Sequence, residues 1–297
     1  MIVQNDKDLT ASVLAAMGQT EDPRLRQILV ALARHLHEFV REVRLTEDEF
    51  RAATALLVKI GQQTTDTHNE MVLMAGSMGV SQLVCLLNNT SPAAPETTQN
   101  LLGPFWRMHT PRTKNGDSIV RSPTLGDPLF VHARVEDRQG RPIAGAEVDI
   151  WHSSPEGLYE NEDSKQVAMN LRGQFVTDAE GRFWLRSVKP AGYAVPTRGV
   201  VGDLLRAQGR HPFRPAHMHA LIAKPGYKTL VSQVYDADDP KIESDVQFGV
   251  TKAVIGRYVR HDEPHPDEPG VGAPWYRLDY TYVMDGGESR LPRPPIK

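Results

Sequence analysis

Apolar residues in the first part of the chain recur at helical spacing. From Leu25 to Val43 they stand three or four positions apart, which places them in one broad stripe on a predicted helix. The run Thr46-Glu-Asp-Glu49 has the spacing of a capping box and predicts the start of a second helix. A third helix is predicted over residues 69–87, before the breaker-rich segment 88–95. The chain up to about residue 90 is therefore predicted to be helical.

After about residue 125 the pattern changes to short apolar runs separated by Gly- and Pro-containing turns. Strand-like runs cover residues 129–135, 146–151, 173–177, 182–185, 217–222, 229–235 and 276–283. Such a pattern is typical of an antiparallel sandwich or barrel. We therefore predict a mainly β protein with an α-helical N-terminal domain over residues 1–100 and an antiparallel β-sandwich domain over residues 101–297.

Composition narrows the function classes. The chain has 297 residues, 24% of them charged, and a net charge of −3, so no basic excess indicates a nucleic-acid partner. The first residues lack the features of a signal peptide, and no apolar run approaches the roughly 20 residues of a membrane span. We expect a cytoplasmic protein without membrane insertion. The single cysteine, Cys85, excludes an intrachain disulfide and lies in an apolar run, which favours a packing role.

Two histidines one residue apart, His217 and His219, form the first candidate site. Alternate side chains of a strand point to the same face, so both imidazoles can reach one metal ion. Such a pair alone is more often polar decoration of a strand than a ligand pair, and it leaves zinc, copper and iron open.

Two tyrosines in irregular segments add a second kind of ligand. Tyr159 follows the loop Ser153-Ser-Pro-Glu-Gly-Leu, and Tyr193 lies among prolines and glycine in residues 189–196. Singly, each would be a packing aromatic residue. A phenolate is a hard, anionic ligand that favours Fe(III) over Fe(II) or Zn(II), and its ordinary pKa near 10 requires a metal to remove the proton. Two phenolates, two imidazoles and a hydroxide would give a neutral ferric site.

Several stretches of the chain resemble motifs of the intradiol ring-cleavage dioxygenases, in the same order. The helical N-terminal part and the segment Asn100-Leu-Leu-Gly-Pro-Phe-Trp106 resemble the catechol and hydroxyquinol 1,2-dioxygenase branch. The site motifs are Ala146-Glu-Val-Asp-Ile-Trp-His152 with Gly157-Leu-Tyr159, Gly192-Tyr-Ala-Val-Pro-Thr197, Gly209-Arg-His-Pro-Phe-Arg-Pro-Ala-His-Met-His219 and Val231-Ser-Gln-Val-Tyr235.

The resemblance implies ortho cleavage of an aromatic 1,2-diol with both atoms of O2 at one non-haem Fe(III) per subunit. Tyr159, Tyr193, His217 and His219 would be the ligands, and Tyr193 would leave the metal to accept a substrate proton. Arg214 and Gln233 would be the further catalytic residues, the first by stabilising negative charge. The resemblance also implies a homodimer joined through the N-terminal helices, with a phospholipid bound at that interface.

Substrate choice depends on a predicted pocket. Gly103-Pro104-Phe105 resembles the hydroxyquinol enzymes, whereas Gly76, Arg198 and Val200 depart from the family pattern. A glycine at position 76 cannot bind a third hydroxyl through a side chain and leaves space for a ring substituent. Hydroxyquinol, cleaved to maleylacetate, or a substituted relative is the first expectation, and a catechol giving cis,cis-muconate is the second. The predicted pocket residues are Leu73, Gly76, Leu102, Gly103, Pro104, Phe105, Val195, Pro196 and Phe248.

Two other classes of protein compete with this interpretation. A non-haem Fe(II) oxygenase would bind its metal with two histidines and a carboxylate, and it would leave the two tyrosines unexplained. A non-enzymatic β-sandwich binding module would use the histidines only as structural residues.

Overall fold

The computed structural model describes residues 2–65, 68–89 and 97–293. The chain divides into two compact units, Met1–Lys59 and Ile60–Lys297. Residues 90–95 of the predicted breaker segment lie outside the described residues. The assignment of separate roles to residues 1–100 and 101–297 stays a prediction.

The N-terminal helices begin where the sequence places capping residues. They are α1 (Asp6–Met17), α2 (Pro23–Val43) and α3 (Glu47–Gln63). Asp22 accepts a hydrogen bond from the Leu25 N–H, with proline as the first residue of α2. The predicted capping box is confirmed, because the Thr46 N–H donates to Glu49 Oε2 (2.8 Å) and the Glu49 N–H donates to Thr46 Oγ1 (3.3 Å).

The apolar stripe of α2 is confirmed as one helix face, and this face is half exposed. Exposure of its large apolar side chains runs from 43% at Val40 to 53% at Leu36. Single exposed apolar residues are ordinary, but a continuous exposed stripe indicates an interaction surface. The exposed members are Leu25, Ile28, Leu32, Leu36, Phe39, Val40 and Val43.

The prediction of one third helix is wrong, because the segment forms α4 (Glu70–Ser77) and α5 (Val80–Asn89) with a 74° bend between them. The break falls at Gly79, whose φ of +73° is left-handed backbone that only glycine adopts freely. Cys85 on α5 is partly buried, and burial raises the pKa of its thiol. No single helix in the described parts of the chain is long and apolar enough to span a membrane; the bent pair α4 and α5 would qualify only by combined length and composition.

Eleven strands, a sixth helix, α6 (Val200–Ala207), and a short 3-10 helix (Lys252–Val254) complete the described structure. Each of the seven predicted strands is present, and no bound differs from its prediction by more than three residues. The strands are β1 (Pro128–Asp137), β2 (Glu147–His152), β3 (Arg172–Val176), β4 (Arg182–Val188), β5 (Tyr193–Ala194), β6 (Phe213–Arg214), β7 (His217–Ala223), β8 (Leu230–Asp236), β9 (Ile255–Gly256), β10 (Tyr258–His261) and β11 (Trp275–Met284).

The strands form two main sheets, with the orders β10-β11-β1-β4 and β3-β2-β7-β8-β9, and a small sheet of β5 with β6. The sheets are mixed and not purely antiparallel, because β1 pairs in parallel with β11 and β8 pairs in parallel with β9. No short hairpin connects either of these parallel pairs, so adjacency along the chain does not impose antiparallel pairing on them.

The core lies between the inner faces of the two main sheets, and the alternation of β7 decides which residues enter it. Met218, Ala220 and Ile222 belong to this core. His217 and His219 point to the opposite face of the same strand and are also buried, at 1% exposure each. The outer face of this sheet is therefore covered as well, and this second buried layer contains the candidate site.

Two glycines with the same backbone conformation provide a matched test of the fold. Gly181 (φ +72°) and Gly140 (φ +73°) would be strained equally by a side chain. A Cβ at Gly181 would also lie 2.5 Å from the Val135 carbonyl oxygen, whereas nothing lies within 4 Å at Gly140. We expect Gly140→Ala to lower the free energy of unfolding by about 1–2 kcal/mol, and Gly181→Ala to lower it clearly further. Urea denaturation measures both; equal losses would contradict the close approach.

Candidate active site

The two histidines meet through the same ring nitrogen. His217 Nε2 and His219 Nε2 are 3.1 Å apart. The His217 Nδ1–H donates to the Pro215 carbonyl oxygen (2.7 Å), which leaves its Nε2 lone pair directed at His219. The His219 ring stacks on Trp151 with centroids 4.7 Å apart and an angle of 8°. Strand register explains this contact, because Trp151 pairs with His219 between β2 and β7.

Both imidazoles are neutral at ordinary pH. Burial, assisted by the nearby Arg214 cation, lowers the pKa of His217 to about 3. Burial also lowers the pKa of His219 well below its ordinary value, and the neighbouring His217 adds to the effect. Two neutral nitrogens that face each other are a pair of donors suited to a metal ion.

Tyr193 and Tyr159 close the site from the side of β5. Their rings are perpendicular, with centroids 5.5 Å apart, and the Tyr193 ring lies 5.4 Å from His217. Tyr193 begins the short strand β5, where it pairs with Arg214 of β6. Gly192 permits this pairing, because a Cβ there would lie 2.6 Å from the Arg214 carbonyl oxygen.

The Tyr159 hydroxyl is fully buried and has no hydrogen-bond partner among the described residues. Burial raises the pKa of Tyr159 well above its ordinary value, and the nearby Tyr193 raises it further. An unpaired buried phenol is unfavourable, and a cation held between the phenols and the imidazoles would remove the penalty. The donor set of two imidazoles and two phenols therefore fits a hard metal ion.

The rival set of two histidines and a carboxylate finds no support in residues 2–65, 68–89 and 97–293. These residues contain no group of three His, Cys, Asp or Glu side chains that could hold a metal.

Arg214 is a fully buried cation beside Tyr193, and three groups bind it. Its Nε and Nη2 each donate to Asp245 at 3.1 Å, and Nη2 also donates to Gln233 Oε1 (2.9 Å) and to the Tyr235 hydroxyl. Burial alone would raise the pKa of Asp245, but the Arg214 cation outweighs it and lowers the pKa. The Gln233 Nε2 donates to the Leu101 carbonyl oxygen (2.8 Å), which connects Arg214 with the segment that precedes Phe105.

A second buried ion pair lies behind Tyr159, and sequence analysis missed it. Arg172 donates to Glu160 Oε2 from Nε (2.8 Å) and to the Phe105 carbonyl oxygen from Nη1 (2.5 Å). Phe105 in turn stacks on Tyr159 with centroids 4.1 Å apart. The sequence signal was a charged residue, Glu160, next to Tyr159, but its partner is twelve residues away along the chain.

A cavity of about 840 Å³ opens beside these residues. Tyr193 and Arg214 line it, together with most of the predicted pocket residues. Its lining also includes His68, Glu162 and Gln247, which the sequence did not indicate. The predicted pocket residues in the lining are Leu73, Leu102, Gly103, Pro104, Phe105, Val195 and Pro196.

Gly76 and Phe248 differ from their expected positions, because neither is part of the cavity lining. The expectation of free space at Gly76 is wrong: a Cβ there would lie 1.8 Å from Gln247 Oε1, so the Gln247 amide fills that place. Phe248 is 50% exposed, and the Arg210 guanidinium lies over its ring at 4.6 Å. Two other residues depart from the family pattern: Arg198 is exposed, and Val200 begins α6.

Comparison with known proteins gives the same class of enzyme. Family models described as "Dioxygenase" and "Catechol dioxygenase N terminus" match residues 101–286 and 22–95. The hydroxyquinol 1,2-dioxygenase of Rhizobium sp. (strain MTP-10005) is 39% identical over 277 residues, 92% of this chain and 93% of that protein. The catechol 1,2-dioxygenase of Candida albicans is 35% identical over 277 residues, 93% of this chain and 91% of that protein.

A solved structure extends the similarity to the fold. The crystal structure of hydroxyquinol 1,2-dioxygenase from Pseudomonas putida DLL-E4 superposes with a TM-score of 0.87 at 35% identity, over 95% of this chain and 99% of that one. The fold and the matched models thus define an aromatic-ring dioxygenase, an enzyme and not a binding module. The chain belongs to the intradiol ring-cleavage dioxygenase family, in the catechol and hydroxyquinol 1,2-dioxygenase branch. This family uses non-haem iron.

His152 provides a pH test of the packing around the site. Its Nδ1 contacts the Ser153 carbonyl oxygen (2.8 Å) and its Nε2 contacts Ser187 Oγ (2.7 Å). Burial lowers the pKa of His152 to about 4. As the pH falls, the unfolded chain therefore protonates His152 before the folded protein does. The stability that depends on neutral His152 is complete above pH 6.5 and is lost as the pH falls toward 4.

We expect His152→Gln, which can still form hydrogen bonds, to lose less stability than the wild type between pH 6.5 and pH 4.5, by about 2–3 kcal/mol. Urea denaturation at a series of pH values measures the difference. The exposed His35→Gln should follow the wild-type curve. Identical curves for His152→Gln and the wild type would contradict a neutral, buried His152.

Proposed function

We propose that this enzyme cleaves an aromatic 1,2-diol between its two hydroxylated carbons at one Fe(III) per subunit, with Tyr159, Tyr193, His217 and His219 as the protein ligands. The buried, unpaired Tyr159 hydroxyl beside two facing neutral imidazoles is the observation that carries this proposal. Phenolates select ferric over ferrous iron or zinc because they are hard anionic donors. Once bound, Fe(III) would accept both oxygens of the diol and make the ring reactive toward O2.

Tyr193 is the ligand best suited to accept a substrate proton at its hydroxyl oxygen. Burial raises its pKa, but the Arg214 cation opposes this increase. Tyr193 also lines the cavity, whereas Tyr159 is not part of the lining and stacks on Phe105. A phenol that faces the substrate can exchange a proton with it, and the enclosed Tyr159 would remain in place as a ligand.

Arg214 would stabilise negative charge on the ring during the reaction. It lines the cavity, and the Asp245 pair and Gln233 hold its guanidinium in one orientation. A preorganised cation in a buried site stabilises charge more strongly than a mobile surface arginine. Gln233 would act by positioning Arg214 and the Leu101 segment together.

Hydroxyquinol, cleaved to maleylacetate, is the substrate we propose first, with substituted relatives included. The Rhizobium relative and the Pseudomonas putida structure both carry this name. Catechol, cleaved to cis,cis-muconate, is the second candidate, supported by the Candida albicans relative. The mostly apolar cavity accepts either planar ring.

The N-terminal helices would join two subunits. The exposed apolar stripe of α2 is the supporting observation, and a phospholipid at that interface would cover apolar surface in the same way. We also propose a cytoplasmic location.

The iron ligands can be tested by colour and metal content. Phenolate-to-Fe(III) charge transfer should make the purified enzyme deep red. We expect Tyr193→Phe to keep iron, to lose part of the visible absorption and to slow turnover about 10²–10⁴-fold. His217→Ala should lose most of its iron because one ligand is removed. Visible spectra, iron analysis and oxygen uptake with each diol give the three readouts.

Tyr227→Phe is the matched control, because Tyr227 packs against the main core away from the site. Its colour, iron content and activity should equal those of the wild type. Full iron content and full activity in His217→Ala would rule out this ligand set, as would a colourless wild type with full iron occupancy.

The dimer can be tested with two substitutions that place a glutamate on the same helix. Leu36 belongs to the exposed stripe, whereas Arg34 is a charged, exposed residue of α2. Light scattering should give twice the 33.1 kDa chain mass for the wild type and for Arg34→Glu. Leu36→Glu should shift the enzyme toward the single-chain mass, because a charge would be buried in the interface. A monomeric wild type would overturn the proposal.

A further inference from the structure

Gln247, which lines the cavity of the candidate active site, fills the space that a side chain on Gly76 would need. A Cβ on Gly76 would lie 1.8 Å from Gln247 Oε1 and 2.8 Å from its Cδ. Real atoms do not approach so closely, so a side chain at position 76 and the present Gln247 exclude each other. Gln247 also lines the cavity that Tyr193 and Arg214 line. The absence of a side chain at position 76 of α4 thus makes room for the Gln247 amide.

The Gln247 amide is fixed before any ligand binds. Its Nε2 donates to the hydroxyl of the buried Ser77 (3.0 Å), and its backbone N–H donates to Asp245 Oδ1 (3.2 Å). The Arg210 guanidinium donates to the carbonyl oxygens of Ser77 (2.7 Å) and Val246 (2.8 Å). Hydrogen bonds therefore connect the segment of Gly76 and Ser77 with the segment of Val246 and Gln247. Asp245 connects the second segment with Arg214.

The Gln247 oxygen has no hydrogen-bond donor within the described parts of the chain, although Gln247 is only 7% exposed. Around it the cavity wall is largely apolar, with Val72, Leu73 and Val195 among the lining residues. A nearly buried amide oxygen without a donor is unfavourable, so a ligand that supplies a donor there gains affinity.

We propose that Gln247 determines substrate specificity, its amide accepting a hydrogen bond from a third hydroxyl on the ring of the diol. The proposal rests on the proposed function and adds the residue that would select a benzenetriol over a diol with hydrogen, chlorine or alkyl at that position. An analogue without the hydroxyl leaves the amide oxygen unpaired in an apolar wall, which penalises its binding and its transition state.

Substrate ratios test the proposal. The measured quantity is kcat/KM for benzene-1,2,4-triol divided by kcat/KM for catechol. Gln247→Met keeps the length of the side chain without the hydrogen-bonding group, and we expect the ratio to fall about five- to tenfold. Gln247→Glu keeps an acceptor oxygen and should not lower the ratio. Gln139→Met, in an exposed turn, is the control and should leave the ratio unchanged.

An unchanged ratio in Gln247→Met, or an equal fall in Gln247→Glu, would overturn the role of Gln247. A wild type that cleaves neither compound would overturn the proposed function instead, so the two failures are distinguishable.

Thermal melting tests, without any activity measurement, whether a side chain at position 76 and Gln247 exclude each other. Alanine normally stabilises a helix relative to glycine. We expect Gly76→Ala to lower Tm in the wild-type background but not in the Gln247→Ala background, where the amide is gone. Gly61→Ala on α3 is the control, because nothing lies within 4 Å of its added Cβ, and it should have one effect in both backgrounds. The same loss for Gly76→Ala in both backgrounds would show that the two positions do not meet.

Discussion

A buried arginine holds the functional layer of this protein together. Arg214 is removed from water, and its charge is compensated by Asp245 and by hydrogen bonds to Gln233 and Tyr235. A buried cation is tolerated only when its donors are satisfied, so the elements that carry these partners must keep their relative positions. The backbone pairing of Arg214 with Tyr193 extends the same constraint to β5. One charge thereby orders Tyr193, which we propose as a metal ligand, a strand of the main sheet and the segment that leads to Gln247.

Several buried polar atoms at the candidate site have no hydrogen-bond partner in the described residues. The Tyr159 hydroxyl, His219 Nδ1 and the Gln247 oxygen are buried or nearly so, and none has a partner in the described residues. Elsewhere some buried groups are paired, as His152 is with Ser153 and Ser187, and others are not, such as both polar atoms of the Gln82 amide. Most buried polar groups in folded proteins have partners, so unpaired atoms that lie together beside a cavity are suited to a ligand. In our proposals a metal binds the imidazoles and phenols, and the ring hydroxyl of a substrate binds the Gln247 amide.

Local sequence was sufficient for much of the fold. The short apolar runs at β2 and β7, separated by turn residues, predicted strands, and the Thr46–Glu49 capping box predicted the start of α3. The single third helix was wrong because one glycine, Gly79, adopts left-handed backbone inside an apolar run that otherwise reads as continuous. The parallel pairing of β1 with β11 was missed because it joins segments far apart in the chain, for which no turn chemistry exists.

The sequence alone determined the types of the proposed ligands, because the order Tyr159, Tyr193, His217 and His219 is a covalent fact and the His-x-His spacing places both imidazoles on one strand face. Tertiary structure decided everything that depends on distance. It brought Glu160 to Arg172 and Asp245 to Arg214, and it filled the space at Gly76 with the amide of Gln247. A glycine in a sequence shows that a side chain is absent, but only packing shows which neighbour occupies the space.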